Sequence, residues 1–280
     1  MNPVLRLLDE ARERARPLVM GILNTTPDSF SDGGRFDDVE RALAHAREMA
    51  AAGADLVDVG GESTRPGAGA VDAAEEIERV VPVIEAITSR LDVPVSIDTM
   101  KPEVMRAAAR AGAAMINDVN ALRAEGALEA AAAAGLPVCL MHMQGTPRTM
   151  QADPRYDDVV EDLLAFFRDR IAACTAAGIP ERQIVLDPGF GFGKTLEHNL
   201  RLLAEFEHFG ALGHPLLAGI SRKSMLGTIT GREVADERVA ASVAAAVLAA
   251  ERGADIVRVH DVAETVDAMK VLAAMRRGGV

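Results

Sequence analysis

The stretch VMGILNTTPDSFSDGG, residues 19–34, divides into two halves of opposite chemistry. Val19 to Leu23 is a short apolar run bounded by turn signals, the pattern of a buried strand. Asn24 to Gly34 carries Thr25, Thr26, Pro27, Asp28, Ser29, Ser31, Asp32, Gly33 and Gly34, which is turn chemistry and cannot build a core. A buried strand that opens directly into a polar loop is the junction at which barrel and open-sheet α/β enzymes place their active sites. An ordinary surface loop has the same composition, so the rest of the chain must decide.

Working outward, the same unit recurs. Leu5 to Ala15 reads as a short amphipathic helix before the first strand. Val39 to Ala52 is apolar at helical spacing and meets a capping glycine, Gly53, then the strand-like run Ala54 to Gly61. Asp72 and Glu75 form a capping-box pattern ahead of a predicted helix to about Arg90. Further strands are predicted at Val95–Ile97, Met115–Ile116, Val138–Met141, Ile184–Leu186, Leu216–Ala218 and Asp255–Val259. Helices are predicted at Pro102–Gly112, Glu125–Ala134, Asp157–Ala177, Leu196–Phe206, Asp236–Glu251 and Asp261–Met275. The sequence also echoes itself: AAGADLV at 51–57 resembles ERGADIV at 251–257, with AGAAMI at 111–116 a looser copy. Each is a helix end, a glycine cap and a buried strand. About eight strand–helix units without a composition break predict a single-domain (β/α)8 TIM barrel, class α/β, over 18–280, with 1–17 a helical N-terminal extension. An open doubly wound sheet is the alternative; its dinucleotide version lacks a GxGxxG after the first strand.

Composition limits the function. A chain of 280 residues holds a barrel of about 250 with room to spare. With one Tyr and no Trp, alanine, leucine and valine must supply the core. The net charge of −12 argues against nucleic acid as the main partner but leaves room for a local basic cluster on an anionic small molecule. Cys139 and Cys174 form no CxxC pair or disulfide framework, which fits a reducing cytoplasm. No signal-peptide pattern and no apolar run of membrane-spanning length is present.

In a parallel barrel every strand's C-terminal end points to one face. The residues there are Asn24, Gly61 to Arg65, Asp98, Asn117, Met141 with His142, Asp187, Ser221 with Lys223, and Arg258 with His260. Any one of them could be a helix cap. A polar group at nearly every strand end describes a pocket with donors and acceptors converging from several sides. Asp98, Asn117, Asp187 and Lys223 suit a flat heterocycle of mixed donors and acceptors, such as a pterin. Asn24, Arg65, Arg258 and His260 suit anionic oxygens. Other motifs fail: GFGFGKT at 189–195 resembles a phosphate loop, but Pro188 stands where GxxxxGK[ST] needs its first glycine. There is no HExxH or GxSxG, and none of the six histidines has metal-ligand spacing. His45, His198, His208 and His214 read as solvated or capping residues, and Arg106, Arg110 and Arg123 as surface charges.

Eight motifs stand in order at these positions: GILNTTPDSFSDGG (21–34), GGESTRPGA (60–68), SIDT (96–99), NDV (117–119), MHMQGTP (141–147), LDPGFGFGK (186–194), SRKSMLG (221–227) and VRVHDV (257–262). Together they closely resemble the bacterial dihydropteroate synthases over about nine-tenths of the chain. The resemblance implies a (β/α)8 barrel, a homodimer, and condensation of hydroxymethyl-dihydropterin pyrophosphate with para-aminobenzoate to dihydropteroate and pyrophosphate, with Mg²⁺. It implies a pterin site of Asp98, Asn117, Met141, Asp187, Phe192, Lys223 and Arg258. It places Phe30, Thr64, Pro66, Phe192, Lys223 and Ser224 around the aminobenzoate. Asn24, Arg65, Arg258 and His260 would meet pyrophosphate, with Asn24 also on the metal. Asp32, Asp98, Asp187 and Lys223 would be the catalytic set, with Asp32 facing the incoming amine. Pro27 to Gly34 would be a lid hinged on its two glycines, and sulfonamides would compete with aminobenzoate.

Two departures stand out. Asn24–Thr25–Thr26 has Thr where Val is commoner in the family, a change between β-branched residues. Where family members often begin with a hairpin that plugs the barrel bottom, Leu5 to Ala15 reads helical, which leaves the plug open. A pterin-binding methyltransferase domain would share the barrel but lack TPDSFSDGG and RKS, and a non-catalytic paralogue would be expected to lose motif residues that are intact here.

Overall fold

Strand β1 (Leu18–Asn24) pairs in parallel with β2 (Leu56–Gly60) on one side and with β8 (Ile256–Val259) on the other. In the computed structural model, which describes residues 1–25, 35–63, 69 and 71–278 (for residues 35 and 36 the backbone only), the pairing continues through β3 (Val95–Asp98), β4 (Met115–Asp118), β5 (Val138–Met141) and β6 (Ile184–Asp187). From β8 it runs to β7 (Leu217–Ala218). The spatial order is β6-β5-β4-β3-β2-β1-β8-β7, and a parallel bridge between Leu186 and Leu216 joins the two ends. The sheet therefore closes into an eight-stranded barrel, not an open doubly wound sheet. Phe30, Asp32, Thr64, Arg65 and Pro66, and the lid proposed at Pro27 to Gly34, lie outside the described residues.

The helices around it are α1 (Pro3–Glu13), α2 (Arg35–Ala52), α3 (Ala73–Arg90), α4 (Pro102–Arg110), α5 (Ala127–Ala134), α6 (Val159–Ala176), α7 (Leu196–Ala204), α8 (Ser224–Thr230), α9 (Val239–Glu251) and α10 (Val262–Arg277). Outward strand residues such as Val19, Val57, Ile97, Ile116 and Leu186 pack against them in one large apolar cluster. Three elements depart from the sequence reading. Helix α7 stops at Ala204, and a 3-10 segment, Phe206–Leu212, buries Phe206 and Phe209. A second 3-10 segment, Ala235–Arg238, takes up the start of the helix expected from Asp236. Helix α8 was not foreseen: its seven residues, SMLGTIT, are too few to show a period, and Gly227 is there because a Cβ would collide with the Arg232 carbonyl and Arg238.

The sequence echo is a structural echo. Gly53, Gly112 and Gly253 have φ of +100°, +103° and +97°, the left-handed region that glycine enters without penalty. In each case the following N–H reaches back to the helix: Ala54 to Met49, Ala113 to Ala108 and Ala254 to Ala249. The aspartate that follows two of these turns then bonds the chain next to it. Asp55 accepts from the Val19 N–H at 2.8 Å, and Asp255 from the Leu216 N–H at 2.9 Å.

Helix α1 closes the barrel's N-terminal end. Asn2 caps it, accepting from the Val4 N–H at 2.9 Å and donating to the Ala114 carbonyl at 2.9 Å, with Pro3 at the first helical position. Val4, Leu8 and Ala11 are buried against the inward-facing Leu18, Met20, Leu56, Met115, Cys139, Val185, Leu217 and Ile256. A helix thus fills the place that the sequence reading left open. Leu8→Ala is expected to cost about 2–4 kcal/mol, read as a lower urea midpoint, while turnover per folded molecule stays near wild type because the helix lies at the end opposite the mouth.

Candidate functional site

Alternation along a strand sends every second side chain into the barrel. On β2 these are Leu56, Asp58 and Gly60; on β3, Ser96 and Asp98; on β4, Met115 and Asn117. On β8, Arg258 follows Ile256 inward. The apolar residues of this set lie near α1, and the polar ones gather towards the C-terminal mouth.

Arg258 is the centre of that layer. Its Nε donates to Asp58 Oδ2 at 2.6 Å, and its Nη2 to Asp98 Oδ2 at 2.8 Å. Asn117 Nδ2 donates to the same Asp58 oxygen at 3.0 Å. Glycine makes room for the cluster: Gly60 abuts Asp98, and Gly219 lies between Arg258 and Asp187. Burial raises the Asp98 carboxyl to about 7 against the pull of Arg258, with Asp58, Glu76 and Asp118 pushing the same way as burial. The guanidinium is itself held above its ordinary value, because Asp58 and Asp98 outweigh its burial.

Across the mouth stand Asp187 and Lys223. Burial raises the Asp187 carboxyl, opposed by Lys223 and by the Gly189 N–H that donates to its Oδ1 at 2.7 Å. Burial lowers the Lys223 ammonium to about 8, although Asp187 and Asp98 favour its charge. Its Nζ donates to the Phe190 carbonyl and lies 4.5 Å from the centroid of the Phe192 ring, a cation–π contact. Lys223 is aimed by its neighbour. Arg222 sits at φ +58°, with its guanidinium on Asp261 and Asp236, its N–H on Ser242 Oγ and its carbonyl on Arg238.

The other expected residues take definite places. Asn24 is exposed at the end of β1, and Ser224 is exposed at the first position of α8. Met141 is buried with Val119, Met143 and Met150, and Phe192 packs against them. His260 is held by Ser221, whose Oγ lies 3.0 Å from His260 Nδ1 and accepts from its backbone N–H at 3.1 Å. His198 is a capping residue, at the third position of the α7 capping box. His142 requires a correction. Although it follows the end of β5, its ring packs edge-on against Phe166 of α6 at 4.7 Å, away from the mouth. Burial and the Lys194 charge lower it to about 2, so it is neutral.

Sequence reasoning missed three groups. Asp58 lies two residues before the strand end; its signal was a lone carboxylate inside the apolar run LVDVG. Glu76 is fully buried on α3 and pairs with Lys101, which also holds Glu62 at 2.6 Å. Lys194, from the failed phosphate motif, is buried beneath the loop after β6. Among the described residues no group of three or more His, Cys, Asp or Glu could hold a metal ion, and no helix is long and apolar enough to cross a membrane.

Residues 20–260 match the family model described as pterin binding enzyme, so barrel and mouth together define a pterin-binding enzyme. The chain is 55% identical to dihydropteroate synthase of Escherichia coli (strain K12) over 260 residues, 93% of this chain and 92% of that one. The crystal structure of Yersinia pestis dihydropteroate synthase with a sulfonamide drug complex superposes at a TM-score of 0.90 with 55% identity, covering 94% of this chain and 96% of that one. Xanthomonas albilineans dihydropteroate synthase with 4-aminobenzoic acid gives 0.89 and 56%, covering 94% of each. The chain belongs to the pterin-binding enzyme family and, within it, to the dihydropteroate synthases, which are transferases.

The raised Asp98 carboxyl has a consequence for stability. The folded state binds its proton more tightly than the unfolded chain, so this group's contribution falls as pH rises from about 4 towards 7. Asp98→Asn removes that dependence. In urea titrations the variant is expected to gain on wild type steadily between about pH 5 and 7 and to level off above about pH 8. A stability difference independent of pH across this window would contradict a raised carboxyl.

Proposed function

We propose that this dihydropteroate synthase joins hydroxymethyl-dihydropterin pyrophosphate to para-aminobenzoate by a dissociative, SN1-like substitution at the pterin methylene. The observation that carries the reading is the facing arrangement of Asp98, Asn117 and Arg258 on one side of the mouth and Asp187 with Lys223 on the other. Carboxylates accept from the ring N–H groups, while Asn117 and Lys223 donate to ring nitrogen and oxygen. Met141 and Phe192 supply apolar contact to the ring, and Arg258 stacks on its face. The C–O bond to pyrophosphate breaks first. The pterin spreads the positive charge left on the methylene, and Asp98 and Asp187 favour it electrostatically. The neutral aminobenzoate nitrogen then bonds to the methylene carbon and loses a proton. Asp32 faces that amine, while Phe30, Thr64, Pro66, Phe192, Lys223 and Ser224 surround the ring. Exclusion of water from the mouth protects the cation from hydrolysis.

Asn24, Arg65, Arg258 and His260 take the pyrophosphate. Asn24 would hold Mg²⁺ through one exposed side-chain oxygen at the mouth, with water and pyrophosphate oxygens as the remaining hard donors that Mg²⁺ takes. Held by Asn24, Mg²⁺ would help neutralise the leaving group. Sulfonamides occupy the aminobenzoate place. The same proposal includes a helical segment at 1–17 joined to a barrel at 18–280, a homodimer and a cytoplasmic location. Exposed Leu196 and Leu200 on α7 and Leu248 on α9 support the homodimer, and two free, buried cysteines support the location.

Purified protein given both substrates and Mg²⁺ is expected to form dihydropteroate and pyrophosphate, with no dihydropteroate when aminobenzoate or Mg²⁺ is withheld. Absence of product from the complete mixture would overturn the reading. Lys223→Ala is expected to lower kcat/KM about 100–1000-fold, measured by pyrophosphate release; near wild-type kinetics would remove Lys223 from both substrate sites.

A further inference from the structure

The GFGFGK segment resembles a phosphate loop in sequence, yet its lysine faces inward. Lys194 is 3% exposed. Its Nζ donates to the carbonyls of Gly189 at 3.0 Å, Phe192 at 3.0 Å and His142 at 3.3 Å, and lies 3.0 Å from His142 Nδ1. His142 is neutral, and burial pushes the Lys194 ammonium well below its ordinary value. Among the described residues, three carbonyls and His142 Nδ1 lie within reach of the at most three N–H groups on Nζ, and no carboxylate oxygen lies at bonding distance. An internal amine that donates to several backbone carbonyls crosslinks what it touches. Here it ties the exit of β5 to the loop that follows β6.

That loop is pinned on every side. A Cβ on Gly189 would overlap the His142 carbonyl, and one on Gly193 would overlap the Gln144 carbonyl, so the loop lies directly on the chain leaving β5. Tyr156 donates its hydroxyl to the Gly193 carbonyl at 2.7 Å, and the Gly191 N–H donates to Asn199 Oδ1 at 2.7 Å. The upper surface of the loop carries the two groups that touch Lys223, the Phe190 carbonyl and the Phe192 ring. The same short segment therefore has Lys194 beneath it and Lys223 above it.

We propose that Lys194 is a positioning residue for the transfer reaction: it fixes the Gly189–Phe192 backbone so that the Phe190 carbonyl and the Phe192 ring hold Lys223 at the mouth. Lys194 touches no substrate. It acts by keeping Lys223 in one place and in one electrostatic setting. The charged groups that act on Lys223 there are Asp187 from β6, Asp98 from β3 and Arg258 from β8. Burial holds Lys194, below the loop, well under its ordinary value, and Lys223 pushes the same way. The inference rests on the transfer reaction proposed above, and wild-type turnover in the same assay tests that reading separately.

The experiment compares wild type with Lys194→Met, Lys194→Gln and Tyr156→Phe, each checked for folding by thermal midpoint. Lys194→Met keeps the stem and removes the donors. It is expected to lower kcat/KM for para-aminobenzoate about 10–100-fold. It should also move the alkaline limb of the pH profile, set by Lys223, upwards as the loosened loop lets water reach that ammonium. Lys194→Gln retains two N–H donors and should recover part of the rate. Tyr156→Phe loosens the same loop from its other side and should shift the limb in the same direction by less. A lowered thermal midpoint with an unmoved alkaline limb and kcat/KM within about twofold of wild type would show a lysine that only stabilises the fold. If Lys194→Met does not fold, Lys194→Gln and Tyr156→Phe decide by the same two readouts.

Discussion

The structure turns on one largely buried cation between two carboxylates. Arg258 enters from β8 and is held by Asp58 of β2 and Asp98 of β3, partners 200 and 160 residues earlier in the chain. Burying any one of these charges alone would be costly; pairing offsets part of that cost, though burial still raises the Asp98 carboxyl, and leaves a polar layer across the barrel. Asn117 joins through the same Asp58 oxygen, so three strands on one side of the mouth and the final strand are mutually placed. Every other side chain of the mouth works against this reference. The rise of the Asp98 carboxyl and the hold on the Arg258 guanidinium are two faces of the same arrangement.

The opposite side of the mouth uses another device. There the fixed points are backbone carbonyls gripping lysines, with Lys223 on Phe190 and Lys194 on Gly189, Phe192 and His142. A carbonyl grip orients an ammonium without neutralising it. Lys223 therefore remains a donor that a bound molecule can use, whereas Arg258 gives its Nε and Nη2 to carboxylates. The two walls differ accordingly: in one the cation is paired with carboxylates, in the other it is held by a backbone carbonyl.

Much of this was legible in the sequence, for a physical reason. Parallel strands buried on both faces read as apolar runs, and the first polar residue after each run marks the mouth. Asp98, Asn117, Asp187 and Arg258 were found that way. The same rule failed at His142, where the polar residue after β5 turns outward to Phe166, because run ends mark position along a strand but not which face a side chain takes. It also passed over Asp58, which lies inside an apolar run, where only the parity with Gly60 indicates an inward side chain. Lys194 was invisible for a different reason. Its motif suggested an outside anion, and only the close contacts of Gly189 and Gly193 with the chain leaving β5 show that the lysine serves the protein's own carbonyls. Helix α1 was legible as a helix, but its place in the barrel came from long-range packing that no local pattern carries.

The repeated Gly-Ala-Asp turn has one more implication. Asp55 and Asp255 each bond the N–H of an adjoining strand's entry, Val19 beside β2 and Leu216 beside β8. These clamps set how far one strand slides relative to its neighbour, and in a closed barrel that offset fixes which residues share a level. They act at the strand entries, roughly 13 Å from the mouth for a four-residue strand such as β8. Alignment is thus held at the strand entries as well as at the Arg258 layer. Side chains at the mouth outside the Arg258 network can be exchanged, by selection or by an engineer, without loosening the stagger that brings them to a common height.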